Sequence, residues 1–125
     1  MKNYIIVFAG CGIGGALRHC VNVWVPRVAG TNFPFHTLTV NVLGSFAMGV
    51  LAAYFGLKAE GSQAWRLFLA TGVLGGFTTF SAFSLDTALL FERGTAGIAI
   101  TYALVSVLAS IGGLVLGLQL VRSLA

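Results

Sequence analysis

Polar residues punctuate this chain at three places, and between them run four apolar segments at about residues 4–25, 36–57, 66–91 and 95–121. Each is long enough for the roughly 20 residues that a helix needs to cross the hydrocarbon of a bilayer. The pattern predicts an all-α integral membrane protein, with four transmembrane helices in one domain covering 1–125. The links are short: "PRVAGTNFP" reads as a turn with proline at both ends, "KAEGSQ" as a polar loop and "ERGT" as the tightest connection. Links of that length predict antiparallel neighbours. Only the third segment is interrupted at its centre, by Gly75 and Gly76, which predicts a helix broken at mid-membrane.

Composition removes the soluble alternative. Hydrophobic residues make up 58% and charged residues 8% of the 125, against about a quarter charged in soluble domains. The 17 glycines suit close helix contacts in lipid. Lys2 followed by "YIIVFAGCGIGGA" imitates a signal peptide, yet no small-x-small cleavage site precedes Arg18 and three more spans follow, so the segment is read as a retained first helix. The expected location is a bacterial inner or plasma membrane, multi-pass, with the lipid bilayer as partner.

The net charge of +4 is scattered singly, and no basic cluster supports a nucleic-acid partner. Lys2, Lys58, Arg66 and Arg122 fall on the side of the termini, and Arg27 and Arg93 on the other. So weak a bias lets a chain insert either way, which would permit an antiparallel, dual-topology homodimer. Cys11 and Cys20 lie about 13 Å apart along one helix and cannot bridge each other.

Enzymatic chemistry has little to work with. The chain has no His-x-x-x-His, Cys-x-x-Cys, paired carboxylates or phosphate loop, and "GCGIGG" lacks the strand and downstream acid of a dinucleotide site. The polar atoms inside the spans are the remaining clue, because lipid makes them costly unless they face protein or water. Thr37, Asn41 and Ser45 recur every four residues on the second helix, and Tyr102, Ser106 and Ser110 do so on the fourth. Hydroxyls of this kind often bond back to carbonyls four residues earlier, but an asparagine and a tyrosine aligned with them point to a path. Arg18 supplies positive charge near the end of the first span, which favours an anion, although such a side chain can also snorkel to the headgroups.

Phe80 and Phe83 share a helical face beside Ser81 and Ser84. Phenylalanine at helical spacing is ordinarily packing, but aromatic edges are positive and can attract a small anion without trapping it. Carbonyls freed between Gly75 and Thr78 would need burial or a bound ion. Two chains paired head to tail would bring both breaks together around a small cation such as Na⁺. Four helices alone leave no lumen, which places any pore at a seam between two protomers.

"GGALRH" at 14–19, "TLTVNVLGSFAMG" at 37–49 and "GVLGGFTTFSAFS" at 72–84 resemble the Fluc (CrcB) fluoride channels, and the four-span layout covers the whole chain. The resemblance implies a dual-topology homodimer with two pores that passively export fluoride, and a structural Na⁺ at the dimer centre. By position, Phe80, Phe83, Asn41 and Ser81 look like pore residues. Thr37, Tyr102, Ser106 and Ser110 look like a polar track, Arg18 like a vestibule residue, and the backbone oxygens of Gly75 and Thr78 like the Na⁺ ligands. Ala82, His19 and Asp86 depart from the family's usual threonine, tyrosine and glutamate. The alternatives are a dual-topology, proton-coupled multidrug transporter, which would need a mid-membrane carboxylate in its first helix that is absent here, and a structural subunit, which would leave both polar stripes idle.

Overall fold

The computed structural model describes residues 1–58 and 63–125, so most of the "KAEGSQ" link lies outside the described residues. Among the described residues every regular element is helical, in the order α1 (Lys2–Ala29), α2 (Phe35–Leu57), α3 (Gln63–Arg66), a π-helical stretch (Leu67–Leu74), α4 (Gly75–Phe77), α5 (Phe80–Glu92) and α6 (Ala96–Leu124). Four stretches are long and apolar enough to cross a membrane: α1, α2, Gln63–Glu92 and α6. The protein is a multi-pass membrane protein.

Its surface is inverted relative to a soluble fold. Phe8 is 81% and Leu108 69% exposed, while the buried apolar residues are few: Val40, Ala53, Phe55, Leu74, Leu90, Ala99 and Tyr102. Lipid solvates the outside, so burial of large side chains is not what brings the helices together. Backbone proximity does so instead. A Cβ on Gly10 would stand 2.5 Å from the Phe68 carbonyl oxygen, and one on Gly76 would stand 2.5 Å from that of Cys11. Gly14 and Gly72 close the same seam between α1 and the third span. A second seam joins α2 to α6, where a Cβ on Gly117 would meet the Val50 nitrogen at 2.9 Å and one on Gly49 the Leu114 carbonyl carbon at 2.9 Å.

The helix ends differ from the sequence reading in two places. Pro26 does not begin the turn, because α1 passes through it to Ala29 and stops at Gly30, whose φ of 82° favours glycine. Near the end of a helix the missing proline N–H forfeits only one bond, and the Gly30 amide still closes on the Pro26 carbonyl at 3.0 Å. In the third span Gly75 and Gly76 stay helical; the extended residues are Thr78 (φ −83°, ψ 159°) and Thr79 (φ −154°, ψ 118°). The "ERGT" link is as tight as expected: Gly94 has φ 78°, and the Thr95 amide and hydroxyl both donate to the Leu90 carbonyl, at 3.0 and 2.7 Å.

Cations near the span ends lie over aromatic rings. The Arg27 guanidinium sits 5.3 Å from the Trp24 centroid, Arg66 5.4 Å from Phe55, and Lys58 Nζ 4.7 Å from Tyr54. Pairs of this kind suit the headgroup level, where a ring body is apolar and its surroundings are wet. Cys11 and Cys20 are both free thiols.

The seams define a test. Gly14→Val or Gly76→Val forces the α1 seam apart and is expected to lower stability by about 3 kcal/mol or abolish the folded species, since overpacking against backbone cannot relax by rotamer change. Gly12→Ala meets no atom within 4 Å and should change stability by less than about 1 kcal/mol. Thermal unfolding in detergent, followed by size-exclusion chromatography, reads both.

Candidate functional site

Two extended residues inside an apolar span leave backbone groups that lipid cannot satisfy. The structure answers with Asn41. Its Oδ1 accepts from the Thr79 N–H at 2.8 Å and its Nδ2 donates to the Thr79 carbonyl at 3.0 Å. One side-chain amide thus pairs both polar groups of Thr79 as a neighbouring strand would. The Thr79 hydroxyl then caps α5 by accepting from the Ala82 N–H at 3.1 Å, and lies 3.2 Å from Ser81 Oγ. Thr78 Oγ1 turns back to the Leu74 carbonyl at 2.9 Å.

Beside this clamp lies a groove of about 350 Å³. Asn41 and Ser45 of α2 form one wall, Ser106 and Ser110 of α6 the other, and Thr78, Thr79, Phe80 and Phe83 the third side. Asn41 and Ser45 of one polar stripe and Ser106 and Ser110 of the other therefore face one space, together with the two phenylalanines. Ser106 Oγ is buried and, among the described residues, has no hydrogen-bond partner. Other intramembrane hydroxyls are spent on their own helices: Ser84 donates to Phe80 O at 3.0 Å, Thr87 to Phe83 O at 2.8 Å and Thr101 to Gly97 O at 2.8 Å.

Aromatic rings continue from the groove as a file. The centroids of Phe80 and Phe83 are 5.4 Å apart, those of Phe83 and Tyr102 5.3 Å, and those of Tyr102 and Phe33 5.4 Å in a near-perpendicular edge contact. Phe80, 77% exposed, holds the open end. Tyr102 and Thr37 are buried next to the groove rather than in its wall. The Tyr102 hydroxyl donates to Asp86 Oδ2 at 3.2 Å, which extends the line of polar groups to the middle of α5.

The remaining expected residues lie elsewhere. Ser81 is exposed and engaged with Thr79. Gly75 is exposed on the protomer's surface, and Arg18 reaches the Thr78 carbonyl with Nη1 at 3.4 Å. Arg18 thus meets the interrupted backbone and does not line the groove. Sequence reasoning missed Thr79, although a threonine three residues before Ala82 at the start of a helix is a recognisable cap signal. It also passed over Asp86 as a partner for Tyr102, because no periodicity connects residues 16 apart on two helices.

Known proteins resemble this chain over nearly its whole length. Residues 5–118 match the family model described as CrcB-like protein, Camphor Resistance (CrcB). The chain belongs to the CrcB family. It is 55% identical over 122 residues to a protein of Nitrobacter hamburgensis named Fluoride-specific ion channel FluC 2, covering 98% of each chain. It is 57% identical over 124 residues to one of Granulibacter bethesdensis named Fluoride-specific ion channel FluC, covering 99% of this chain and 98% of that one. A third so named, from Rhodopseudomonas palustris, is 54% identical over 121 residues, covering 97% and 98%.

The clamp predicts its own signature. Asn41→Leu leaves the Thr79 amide and carbonyl unpaired and should cost about 2 kcal/mol or more. Thr79→Val, which removes the cap and the hydroxyl's contact with Ser81 but leaves the clamp, should cost about 1 kcal/mol, with Thr79→Ser near neutral. Hydrogen exchange at the Thr79 amide, accelerated in Asn41→Leu alone, separates the two effects.

Proposed function

We propose that this CrcB-family protein is a passive fluoride channel. The observation that carries the reading is the groove, where an unpartnered Ser106 hydroxyl, the Asn41 amide and the rings of Phe80 and Phe83 converge with no carboxylate in the wall. A small hydrated anion must exchange its water shell for donors that hold it weakly enough to let it leave. Hydroxyl and amide N–H groups supply the donors, and ring edges add positive potential without a fixed charge. A proton-coupled exchanger for cationic drugs needs a carboxylate to trade protons, and the one nearest this column, Asp86, is bonded to Tyr102 outside the groove. The names of the relatives point the same way.

The protein works in this reading as an antiparallel homodimer with two pores, exporting fluoride down its gradient. Three features support pairing. Phe80 is mostly exposed on the protomer, the groove it lines is open rather than enclosed, and Gly75 has only an ordinary 3.9 Å contact at its Cβ position, so nothing within the protomer needs a glycine there.

The same face suits a structural Na⁺. The Thr79 amide, which would close a helical turn on the Gly75 carbonyl, is turned to Asn41 instead, and the Thr78 carbonyl keeps a lone pair beyond its long contact to Arg18. Carbonyl oxygens are the donors a hard cation prefers, and a bound ion would supply the positive charge that draws two facing pairs of them together. The nearby Arg18 guanidinium opposes a cation, so the oxygens of both protomers would be needed.

Fluoride efflux from proteoliposomes, measured against chloride and against a lipophilic cation, tests the function. Fluoride alone should pass, and Phe80→Ile and Phe83→Ile should each slow it by about tenfold or more, equivalent to about 1.4 kcal/mol at the barrier, with the dimer intact by cross-linking. Drug or proton leak without fluoride flux would overturn the reading. Exhaustive replacement of Na⁺ by a larger organic cation should lower both flux and the dimer's thermal midpoint.

A further inference from the structure

One ring of the aromatic file, Phe33, lies outside the polar stripes and the three family motifs. It belongs to the turn between α1 and α2, whose backbone holds it in place: the Phe33 carbonyl accepts from the Phe35 N–H at 2.8 Å, and the buried Pro34 between them has φ −79°. The Phe33 side chain packs against the buried cluster of Leu90, Ala99 and Tyr102. Its contact with Tyr102 is edge-to-face, with centroids 5.4 Å apart and an interplanar angle of 88°. Phe35 tilts against Phe33 at 4.7 Å.

Tyr102 needs such support because its own hydrogen bond is long. The hydroxyl meets Asp86 Oδ2 at 3.2 Å, beyond the roughly 3.0 Å that bounds ordinary O–H···O bonds. A bond of that length does not fix the ring, yet Tyr102 is 0% exposed, so packing sets the direction of its hydroxyl. Two aromatic rings touch it, Phe83 at 5.3 Å and Phe33 at 5.4 Å. Phe83 also lines the groove, whereas Phe33 does not. Phe33 instead borders a separate cavity of about 270 Å³ with Asn32, Gly97, Ile98 and Thr101. Truncating Phe33 would open that space toward Tyr102 and let the ring turn its hydroxyl away from Asp86.

We propose that Phe33 is a positioning residue: its ring aims the Tyr102 hydroxyl at Asp86 and so keeps the end of the column in its conducting arrangement. An edge-to-face pair sets the positive rim of one ring against the negative face of the other, which favours one mutual orientation. An aliphatic side chain of similar size fills the space without making that choice. Phe33 touches no solute and acts only through Tyr102. Its effect on fluoride flux rests on the channel reading; its hold on the Tyr102 ring does not.

Two readouts separate these ideas. The chain has three tyrosines, so a Tyr4→Phe, Tyr54→Phe background leaves Tyr102 alone, and ¹³C at its Cζ gives one resonance that reports the hydroxyl's hydrogen bonding in detergent. Phe33→Leu and Phe33→Met are both expected to move that resonance in the same direction as Asp86→Ala, which removes the acceptor. A resonance that keeps its wild-type position in both would overturn the proposal. In proteoliposomes Phe33→Leu should slow fluoride efflux by about threefold, and Phe33→Tyr, which restores the ring, should recover most of that loss. In a Tyr102→Phe background, where no hydroxyl remains to be aimed, Phe33→Leu should change flux by less than about 1.5-fold. An undiminished flux in Phe33→Leu, or the same threefold loss with and without the Tyr102 hydroxyl, would overturn the positioning role and leave the channel standing. A shifted resonance in a protein that passes no fluoride would uphold the hold on Tyr102 and remove the channel.

Discussion

Everything about the groove follows from one pair of hydrogen bonds, those between the Asn41 amide and the backbone of Thr79. A polypeptide in hydrocarbon has no water to complete its hydrogen bonding, so leaving the helix for even two residues is ordinarily prohibited. Asn41 lifts the prohibition by acting as a substitute peptide group, matched to donor and acceptor at 2.8 and 3.0 Å. Once Thr79 is held extended, α5 restarts in a new direction with Thr79 as its cap. Phe80 and Phe83 then stand where α2 and α6 present their polar stripes.

This clamp spends part of what it was expected to contribute. The sequence places Asn41 in a solute path, and the residue does line the groove, but its oxygen and one N–H are committed to the backbone. What it can still offer a passing ion is its second N–H. Ser106 is in the opposite position, with a buried hydroxyl that has no hydrogen-bond partner among the described residues. An unsatisfied donor next to a satisfied amide marks which side of the groove has capacity to spare. In a protein interior such a group is a cost; in a path it is what a solute would pair with.

The glycine seams explain how so small a chain keeps these walls in register. Burial of large apolar residues is modest, because lipid already satisfies them. The helices instead approach backbone to backbone, α1 on the third span through Gly10, Gly14, Gly72 and Gly76, and α2 on α6 through Gly49 and Gly117. Against α1 the third span winds as a π-helix from Leu67 to Leu74, with the Gly75 amide reaching back to Ala70. That wider winding directly precedes the short α4 and the extended threonines. Two rigid pairs are thereby formed, and the α2–α6 pair presents its serines to the interrupted third span.

Four spans, membrane location, the two polar stripes and the paired phenylalanines could all be read from residue order. Each is a matter of local composition or of a period of 3.6 to 4, and lipid as solvent leaves few other solutions for such a pattern. The position of the interruption was legible only in part, since Thr78 fell within the expected stretch and Thr79 outside it. Glycines suggested it at 75 and 76, yet both stay helical, because Gly76 is needed as a flat surface against Cys11 and the break goes where Asn41, 38 residues away, can satisfy it. Likewise Tyr102 found Asp86 and Arg18 found Thr78 only after the helices packed. Those are contacts between elements, fixed by how closely two backbones approach, and no period within a single helix encodes that distance.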